Sequence, residues 1–181
     1  RRVAQEAGAN PAMVHYHFGS KEGFLRALFD GMYEDMFAGL THEAAAAGDP
    51  LQRLRGALRT MAHFVREHRP FIARVWGDAQ AGEAVAQEFA RANGPRHLQL
   101  LMALTLEAEQ AGQLTPAAPL QRLVFLMGSV IAPLMIAGAA TSVGLLPKTL
   151  AGPMKAQALS DEAIEQRIAW ALASLTPEHV S

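Results

Sequence analysis

Apolar side chains recur every three or four residues through most of the chain, which is the period of an amphipathic α-helix. Alanine and leucine are abundant, β-branched runs are scarce, and no segment alternates between apolar and polar residues over the length of a strand. The pattern therefore predicts an all-α protein. It is clear after Ser20, where the apolar positions are Phe24, Leu25, Leu28, Phe29, Met32 and Phe37.

Glycine and proline divide the chain into stretches of helix length. The breaks are predicted at residues 8, 19–20, 48–50, 68–70, 94–95, 112–119, 144–153 and 176–177. The first two breaks leave a short helix at residues 2–7, a second at residues 11–18 and a long third helix that begins after Ser20. Gly8 is a natural left-handed cap, and Asn10 with Pro11 forms a helix start.

A helix, a tight turn and a second short helix make a helix-turn-helix. On a helical wheel, Val14 and Phe18 point inward. The outward positions are Ala12, Met13, His15 and Tyr16, with His17 at the edge. Small residues at a helix start can approach a DNA groove closely, and histidine and tyrosine can donate to phosphate oxygens. Ser20 and Lys21 then begin the next helix at its positive dipole end, which suits a phosphate.

Composition supports this placement of an anion site. The chain has 181 residues, half of them hydrophobic, and a net charge of −1. Residues 1–26 hold four basic and two acidic side chains, so this segment carries +2 and the remainder −3. No cysteine is present, which excludes disulfides and thiolate chemistry and fits a cytoplasmic protein.

Two other interpretations of the N-terminal segment stay open. A solvated helix-turn-helix that binds no nucleic acid has the same pattern. A zinc site is disfavoured, because His15 and His17 are two residues apart and do not face one another on a helix.

The run RRVAQEAGANPAMVHYHFGSKEGFLRAL resembles the DNA-binding region of the tetracycline-repressor (TetR) family of transcription regulators. The resemblance rests on the Ala-Gly turn, the short second helix, its aromatic-His-Phe ending and the Gly-Ser-Lys start of the next helix. It implies a helix-turn-helix headpiece followed by a helical ligand-binding and dimerisation domain. We expect residues 1–30 to form a partial headpiece that lacks the family's first helix, and residues 31–181 to form the second domain.

The resemblance also implies roles for single residues. The start of the recognition helix would face bases, and its aromatic and imidazole side chains would face a base or phosphates. The implied DNA contacts are Arg1, Arg2, Pro11, Ala12, Met13, His15, Tyr16, His17 and Lys21. His15 stands where the family usually has tyrosine. Because proline, alanine and methionine offer few donors, sequence readout would rest on thymine methyls, Arg1 and DNA shape.

From residue 30 onward the sequence holds no Gly-rich phosphate loop, H-E-x-x-H or G-x-S-x-G motif. His63 and Glu67 share one helix face, which indicates a helix pair rather than an acid–base couple. We expect no enzyme activity, no cofactor and no metal. The rival hypotheses are an enzyme that uses these two residues and a helical ligand-binding or scaffolding protein that binds no DNA.

Large apolar side chains are frequent in the middle of the chain, and any one of them can be simple core. As a group they fit the ligand pocket that the resemblance implies, because methionine and aromatic residues adapt to hydrophobic ligands. We expect a mostly apolar small-molecule effector. The candidate pocket residues are Met61, Phe64, Phe71, Trp76, Phe89, Met102 and Phe125.

No charged residue occurs between Arg122 and Lys148. The length of this stretch allows a membrane span, but Pro133 and several glycines favour a buried or interface helix that ends near residue 140. The resemblance implies that helices at 120–140 and 161–175 form a four-helix homodimer interface. Its candidate residues are Leu123, Met127, Val130, Ile131, Ile164, Ile168 and Leu172.

The function expected from these patterns is a dimeric, ligand-responsive repressor that binds a double-stranded DNA operator. Two recognition helices would reach successive major grooves. Effector binding would tilt the helix after Ser20 and change the spacing of the two headpieces.

Overall fold

The computed structural model describes residues 16–142, 144–145 and 147–177, and its regular structure there is entirely helical. The first three long helices are α1 (Lys21–Ala45), α2 (Pro50–Gln80) and α3 (Ala84–Gln110). An apolar stretch follows as α4 (Pro119–Leu126), a π-turn (Met127–Ile131) and α5 (Ala132–Ser142). The last helices are α6 (Lys148–Leu159) and α7 (Asp161–Ala173). The predicted all-α class is confirmed.

Three helices begin at a polar cap. The side chains of Ser20, Asp49 and Ser160 each accept the backbone N–H three residues further on, at 2.9 to 3.1 Å. Such a cap satisfies one of the N–H groups that the first turn of a helix leaves unpaired. The breaks predicted at residues 19–20 and 48–50 are therefore confirmed.

Two predicted breaks lie inside helices instead. Residues 94–95 are part of α3, and Pro70 is part of α2, which bends at His68 (φ −106°, ψ 17°) but continues. A proline removes one N–H and crowds the preceding turn, and packing on both sides can still hold the helix together. The helix α6 likewise runs through Pro153. The helix α2 ends at Gln80, and the turn after it contains Gly82, whose φ of +91° favours glycine and which the sequence pattern missed.

The helix α2 is central to the packing, since it contacts α1, α3, α5, α7 and the π-turn. Side chains from all these elements form the main core, and burying each large aliphatic side chain contributes about 1.5–3 kcal/mol. Fully buried members of the main core include Leu40, Leu58, Leu101, Leu134 and Ile164. A smaller core cluster joins the first half of α1 to the end of α2 and the start of α3 through Phe29, Val75 and Ala86.

The π-turn lies in the uncharged stretch that was predicted as one helix over 120–140. The extent of that helix is confirmed, and within it the N–H of Ala132 bonds to the carbonyl of Met127, five residues back. Pro133 follows directly and can donate no N–H, while its ring presses on the preceding turn. A wider turn at this point relieves that crowding.

The same helix is apolar over a surface that the rest of the chain leaves uncovered. Within the described residues, Pro119–Ala140 is long and apolar enough to cross a membrane by length and composition alone. Only 28% of its most apolar window is buried inside the chain. The described residues therefore leave much of its outer face exposed.

Most of the predicted dimer-interface residues lie in the core of the single chain. Five of them are at most 3% exposed, namely Leu123, Val130, Ile164, Ile168 and Leu172. Met127 and Ile131 are half-buried against the same core. These five side chains pack inside the single chain, and their place in a dimer interface stays a prediction. Helical periodicity identified the face that packs inward, and the exposed large apolar residues of these helices are Leu120, Val124, Phe125, Ile136 and Trp170.

One charged side chain is buried in this core. Arg122 at the start of α4 is 1% exposed, and its guanidinium bonds the carboxylate of Glu109 at the end of α3. It also donates to the carbonyls of Thr115 at 2.8 Å and Thr105 at 3.4 Å. Arg122 therefore ties α3, the following loop and α4 together.

We expect Arg122→Ala to lower the free energy of unfolding by about 3–5 kcal/mol, because it leaves Glu109 and buried carbonyls without their partner. The control is Arg26→Ala, which removes a half-exposed ion pair with Glu88 (2.6 Å) and should cost under about 1 kcal/mol. Urea unfolding followed by circular dichroism measures both. Equal losses in the two variants would contradict the structural role of Arg122.

Candidate nucleic-acid interface and effector cleft

The end of the predicted recognition helix lies within the described residues. Residues 16–18 are helical, Gly19 adopts a left-handed φ of +68°, and the N–H of Ser20 donates to the carbonyl of Phe18 at 2.7 Å. The predicted helix end at Phe18 and restart at Ser20 are confirmed. Six of the predicted DNA contacts lie outside the described residues, namely Arg1, Arg2, Pro11, Ala12, Met13 and His15.

The side chains at this helix end point outward. Tyr16 is 85% exposed, and His17 is exposed beside it with the two rings edge to face at 5.3 Å. Phe18 turns back and packs edge-on against Phe24 of α1, with ring centroids 5.2 Å apart. A phenol and an imidazole are therefore presented next to the start of α1, where the positive end of the helix dipole favours a phosphate. The side chain of Lys21, another predicted DNA contact, lies outside the described part of the structure.

The recognition helix and α1 approach one another more closely than a side chain allows. A Cβ placed on Gly23 would clash with the backbone carbonyl of Phe18. Gly23 also donates its N–H to Oγ of Ser20 at 3.0 Å. The first turn of α1 is thus fixed directly against the end of the recognition helix. The sequence analysis did not single out Gly23, because a glycine inside a helix pattern gives no sign of what it faces.

The middle of α1 is held against α3 by a buried tyrosine. The hydroxyl of Tyr33 donates to the carbonyl of Asn93 at 2.7 Å and lies 3.2 Å from Nδ1 of His97. Burial raises the pKa of Tyr33 and lowers the pKa of His97, so both side chains are neutral near pH 7.

An arginine on α3 packs beside this contact between α1 and α3. The guanidinium carbon of Arg96 lies 4.2 Å from the ring centre of Phe37, and both terminal nitrogens of Arg96 bond the carboxylate of Glu34. Three more rings continue the contact toward the headpiece, with centroids 5.3 Å apart between neighbours, namely Phe71, Phe29 and Phe89. One side of α1 is therefore packed firmly on α3 and the end of α2.

Another side of α1 forms one wall of a cleft. The cleft has a volume of about 430 Å³, within the size range of small-molecule sites. The α1 wall consists of Met32, Asp35 and Met36, and the α2 wall of Arg59, Thr60, His63, Phe64, Glu67 and His68. The bend in α2 at His68 lies at this wall. The cleft therefore combines apolar surface with charged groups.

The basic groups around the cleft are engaged by α7. Arg59 bonds both carboxylate oxygens of Glu165, with Nη2 to Oε2 at 2.8 Å, and this contact lowers the pKa of Glu165. Arg66 bonds Asp161, lowers the pKa of Asp161, and lies 2.9 Å from Nδ1 of His63. The α2 wall is thereby linked to the last helix of the chain.

The family model for bacterial regulatory proteins of the tetR family matches residues 1–28. That segment contains the exposed Tyr16 and His17, the Gly19 turn and the first turns of α1. The N-terminal region of the chain is that of a TetR-family regulator. Proteins of this family bind DNA operators, which assigns the N-terminal segment to DNA binding. A search of curated proteins found no significant match to the chain.

The structure of the regulator does not bring the seven predicted pocket residues together. Only Phe64 lines the cleft. Met61 and Met102 belong to the main core, and Phe71 and Phe89 to the smaller cluster. The others, Trp76 and Phe125, are exposed.

The seven residues therefore line no common cavity among the described residues, and the effector pocket itself stays a prediction, because periodicity identifies buried faces without showing which two faces leave a gap. The surface of this cleft is mostly apolar, with charged groups at its walls. The helix pair His63 and Glu67, seen in the sequence, was the available signal for a polar wall.

We expect Gly23→Ala to lower operator affinity about tenfold, because overpacking of the joint costs about 1–3 kcal/mol and displaces the recognition helix. The control Gly31→Ala lies on the same helix with no atom within 4 Å of the added Cβ. It should leave DNA binding unchanged and stabilise α1 by about 0.5–1 kcal/mol. Fluorescence anisotropy on a duplex selected by the wild-type protein, with thermal unfolding, measures both. Wild-type affinity in Gly23→Ala would contradict a fixed joint.

Proposed function

We propose that the protein is a dimeric repressor that leaves its DNA operator when a small molecule binds in the cleft between α1 and α2. This proposal rests on one observation: α1 contacts both the recognition helix and the cleft. Its first turn packs against the end of the recognition helix at Phe18 and Gly23. About three helical turns later, the same helix supplies Met32, Asp35 and Met36 to the cleft.

A ligand in the cleft would act on α1 from one side while α3 holds it from another. The contacts of Tyr33 and Arg96 fix the middle of α1 on α3, so a ligand that changes the gap to α2 would rotate α1 about these contacts. Because the first turn of α1 is in direct contact with the recognition helix, that helix would follow. Operator affinity would then fall, since only one spacing of two headpieces fits two half-sites.

The dimer that two half-sites require would form through the outer face of α4 and α5 together with Trp170 of α7. Leu120, Val124 and Ile136 project from this face although the same helices bury their other side in the chain. A twofold interface uses the same patch on both copies, so one apolar face is sufficient to cover itself. A second copy of the chain is the cover that fits a DNA-binding protein in the cytoplasm. The alternative cover for this face is a lipid bilayer.

We expect selective binding of the full-length protein to a duplex that it selects from a random-sequence pool, compared with a scrambled duplex. Tyr16→Ala should lower this affinity by about tenfold or more, and Lys21→Ala should reduce the slope of log affinity against log salt by about 1. Lys155→Ala on α6 is the matched control, and it should change neither quantity. Anisotropy titrations at several salt concentrations measure both effects. Equal affinity for the two duplexes would contradict operator recognition and favour a helical ligand-binding protein.

We expect Val124→Glu to convert a micromolar dimer into a monomer, because it buries an unpaired carboxylate in each half of a twofold interface. Sedimentation velocity in detergent-free buffer measures the change. Trp76→Glu is the control, since Trp76 is as exposed as Val124 (64% and 63%) but lies on α2, and this variant should remain dimeric. A wild-type monomer that associates with lipid vesicles would instead assign this face to a membrane.

A further inference from the structure

We infer that Phe24 of α1 is a positioning residue for DNA recognition, because its ring fixes the direction in which the end of the recognition helix leaves α1. Phe24 acts through Phe18 rather than by a DNA contact of its own. This inference rests on the proposed function only where it concerns operator affinity. Its structural part can be tested on the protein without DNA.

The backbone contacts that the structure describes between the recognition helix and α1 meet at a single atom. The carbonyl oxygen of Phe18 accepts the N–H of Ser20 at 2.7 Å, and the same oxygen is the atom that a Cβ on Gly23 would strike. Contacts at one atom fix a position but leave the helix free to swing about it. Gly19, which joins the two helices, adds no side chain that could prevent such a swing.

The ring of Phe24 supplies the second point of contact. It lies edge-on to the ring of Phe18, with centroids 5.2 Å apart and the ring planes at 79°, which is a preferred arrangement of an aromatic pair. A backbone pivot and a side-chain contact away from that pivot together define one direction. The chain of rings continues from Phe18 to His17 at 6.5 Å and from His17 to Tyr16 at 5.3 Å. The orientation of both predicted DNA contacts therefore depends on Phe24.

Phe24 does not belong to the core that the structure describes. It is half-buried and is a member of neither of the two core clusters among the described residues. The neighbouring Leu25 and Phe29 instead pack into the smaller cluster with α2 and α3. The first turns of α1 thus have one side held by the body of the protein and another side that holds Phe18. The ring at position 24 is therefore explained by the recognition helix rather than by the core.

The structural test uses the two tyrosines of the chain, Tyr16 and Tyr33. Labelling tyrosine with ¹⁵N gives one amide signal at the end of the recognition helix and one in the middle of α1. Phe24→Leu keeps an apolar side chain but removes the ring, so the heteronuclear NOE of Tyr16 should fall while that of Tyr33 stays unchanged. Leu28→Ala is the matched control, one turn further along the same face of α1 and 39% exposed, and it should change neither signal.

The functional test measures anisotropy of the full-length protein with the selected duplex and with the scrambled duplex. Phe24→Leu should lower the affinity for the selected duplex about three- to tenfold, because an edge-to-face pair contributes free energy of this order. The affinity for the scrambled duplex and the salt slope should not change, since no phosphate contact is removed. Phe18→Leu should have the same effect. The double variant should lose no more than either single variant, because both changes break one contact.

Three results would each overturn the inference: an unchanged NOE of Tyr16 in Phe24→Leu, an equal loss of affinity for both duplexes, or additive losses in the double variant. Selective binding by the wild type together with any of these results rejects Phe24 as a positioning residue and leaves the proposed function intact. A wild type that distinguishes no duplex rejects the proposed function, and the signal of Tyr16 then decides the structural part of the inference alone.

Discussion

The contact between Gly23 and the carbonyl of Phe18 is the constraint on which the remaining arrangement depends. A side chain at position 23 would separate α1 from the recognition helix, and a flexible joint would let the two move independently. With the glycine in place, the Ser20 cap and the left-handed Gly19 set one angle between the two helices. In the proposed mechanism, a rotation of α1 would therefore rotate the DNA-contacting surface with it.

Because the start of α1 is fixed to the recognition helix, the contacts that hold the middle of α1 also affect the position of that helix. The Tyr33 and Arg96 contacts lie on the α3 side, whereas Asp35 and the two cleft methionines lie on the α2 side. A helix fixed on one side and open on another can rotate in only a few directions. To move the protein from almost entirely DNA-bound to almost entirely released, a ligand must bind the released state about 10⁴-fold more tightly than the DNA-bound state.

Sequence reasoning succeeded where the local chemistry decides the structure. Ser20 and Asp49 are caps that act within one helical turn, so the helix starts followed from the residues themselves. It failed where the outcome depends on what a helix packs against. Pro70 and Pro95 looked like breaks, but neighbouring helices hold α2 and α3 together at these points.

The predicted pocket and interface residues lie elsewhere than expected for a related reason. The periodic apolar residues, such as Phe71 and Ile168, do mark buried faces, yet the buried faces turned out to be the chain's own core. The cleft is lined instead by residues such as Asp35 and Glu67, which carry no apolar signal. The buried pairing of Arg122 with Glu109 and the clash at Gly23 depend on atoms from distant or unseen neighbours, so no local pattern could have indicated them.

In the uncharged stretch, burial inside the chain combines with the burial that the proposed dimer would supply. One face of α4 and α5 supplies Leu123, Val130 and Leu134 to the core, and the opposite face exposes Val124 and Ile136. A helix with one buried face keeps charges on the other, as α2 does with Arg55 and Arg59. The absence of charge on both faces therefore requires a second cover, and in the proposed dimer that cover is the same helix of another copy. In that dimer, two protein surfaces rather than lipid would exclude water from all sides of the helix, and its length and hydropathy would resemble a membrane span for that reason.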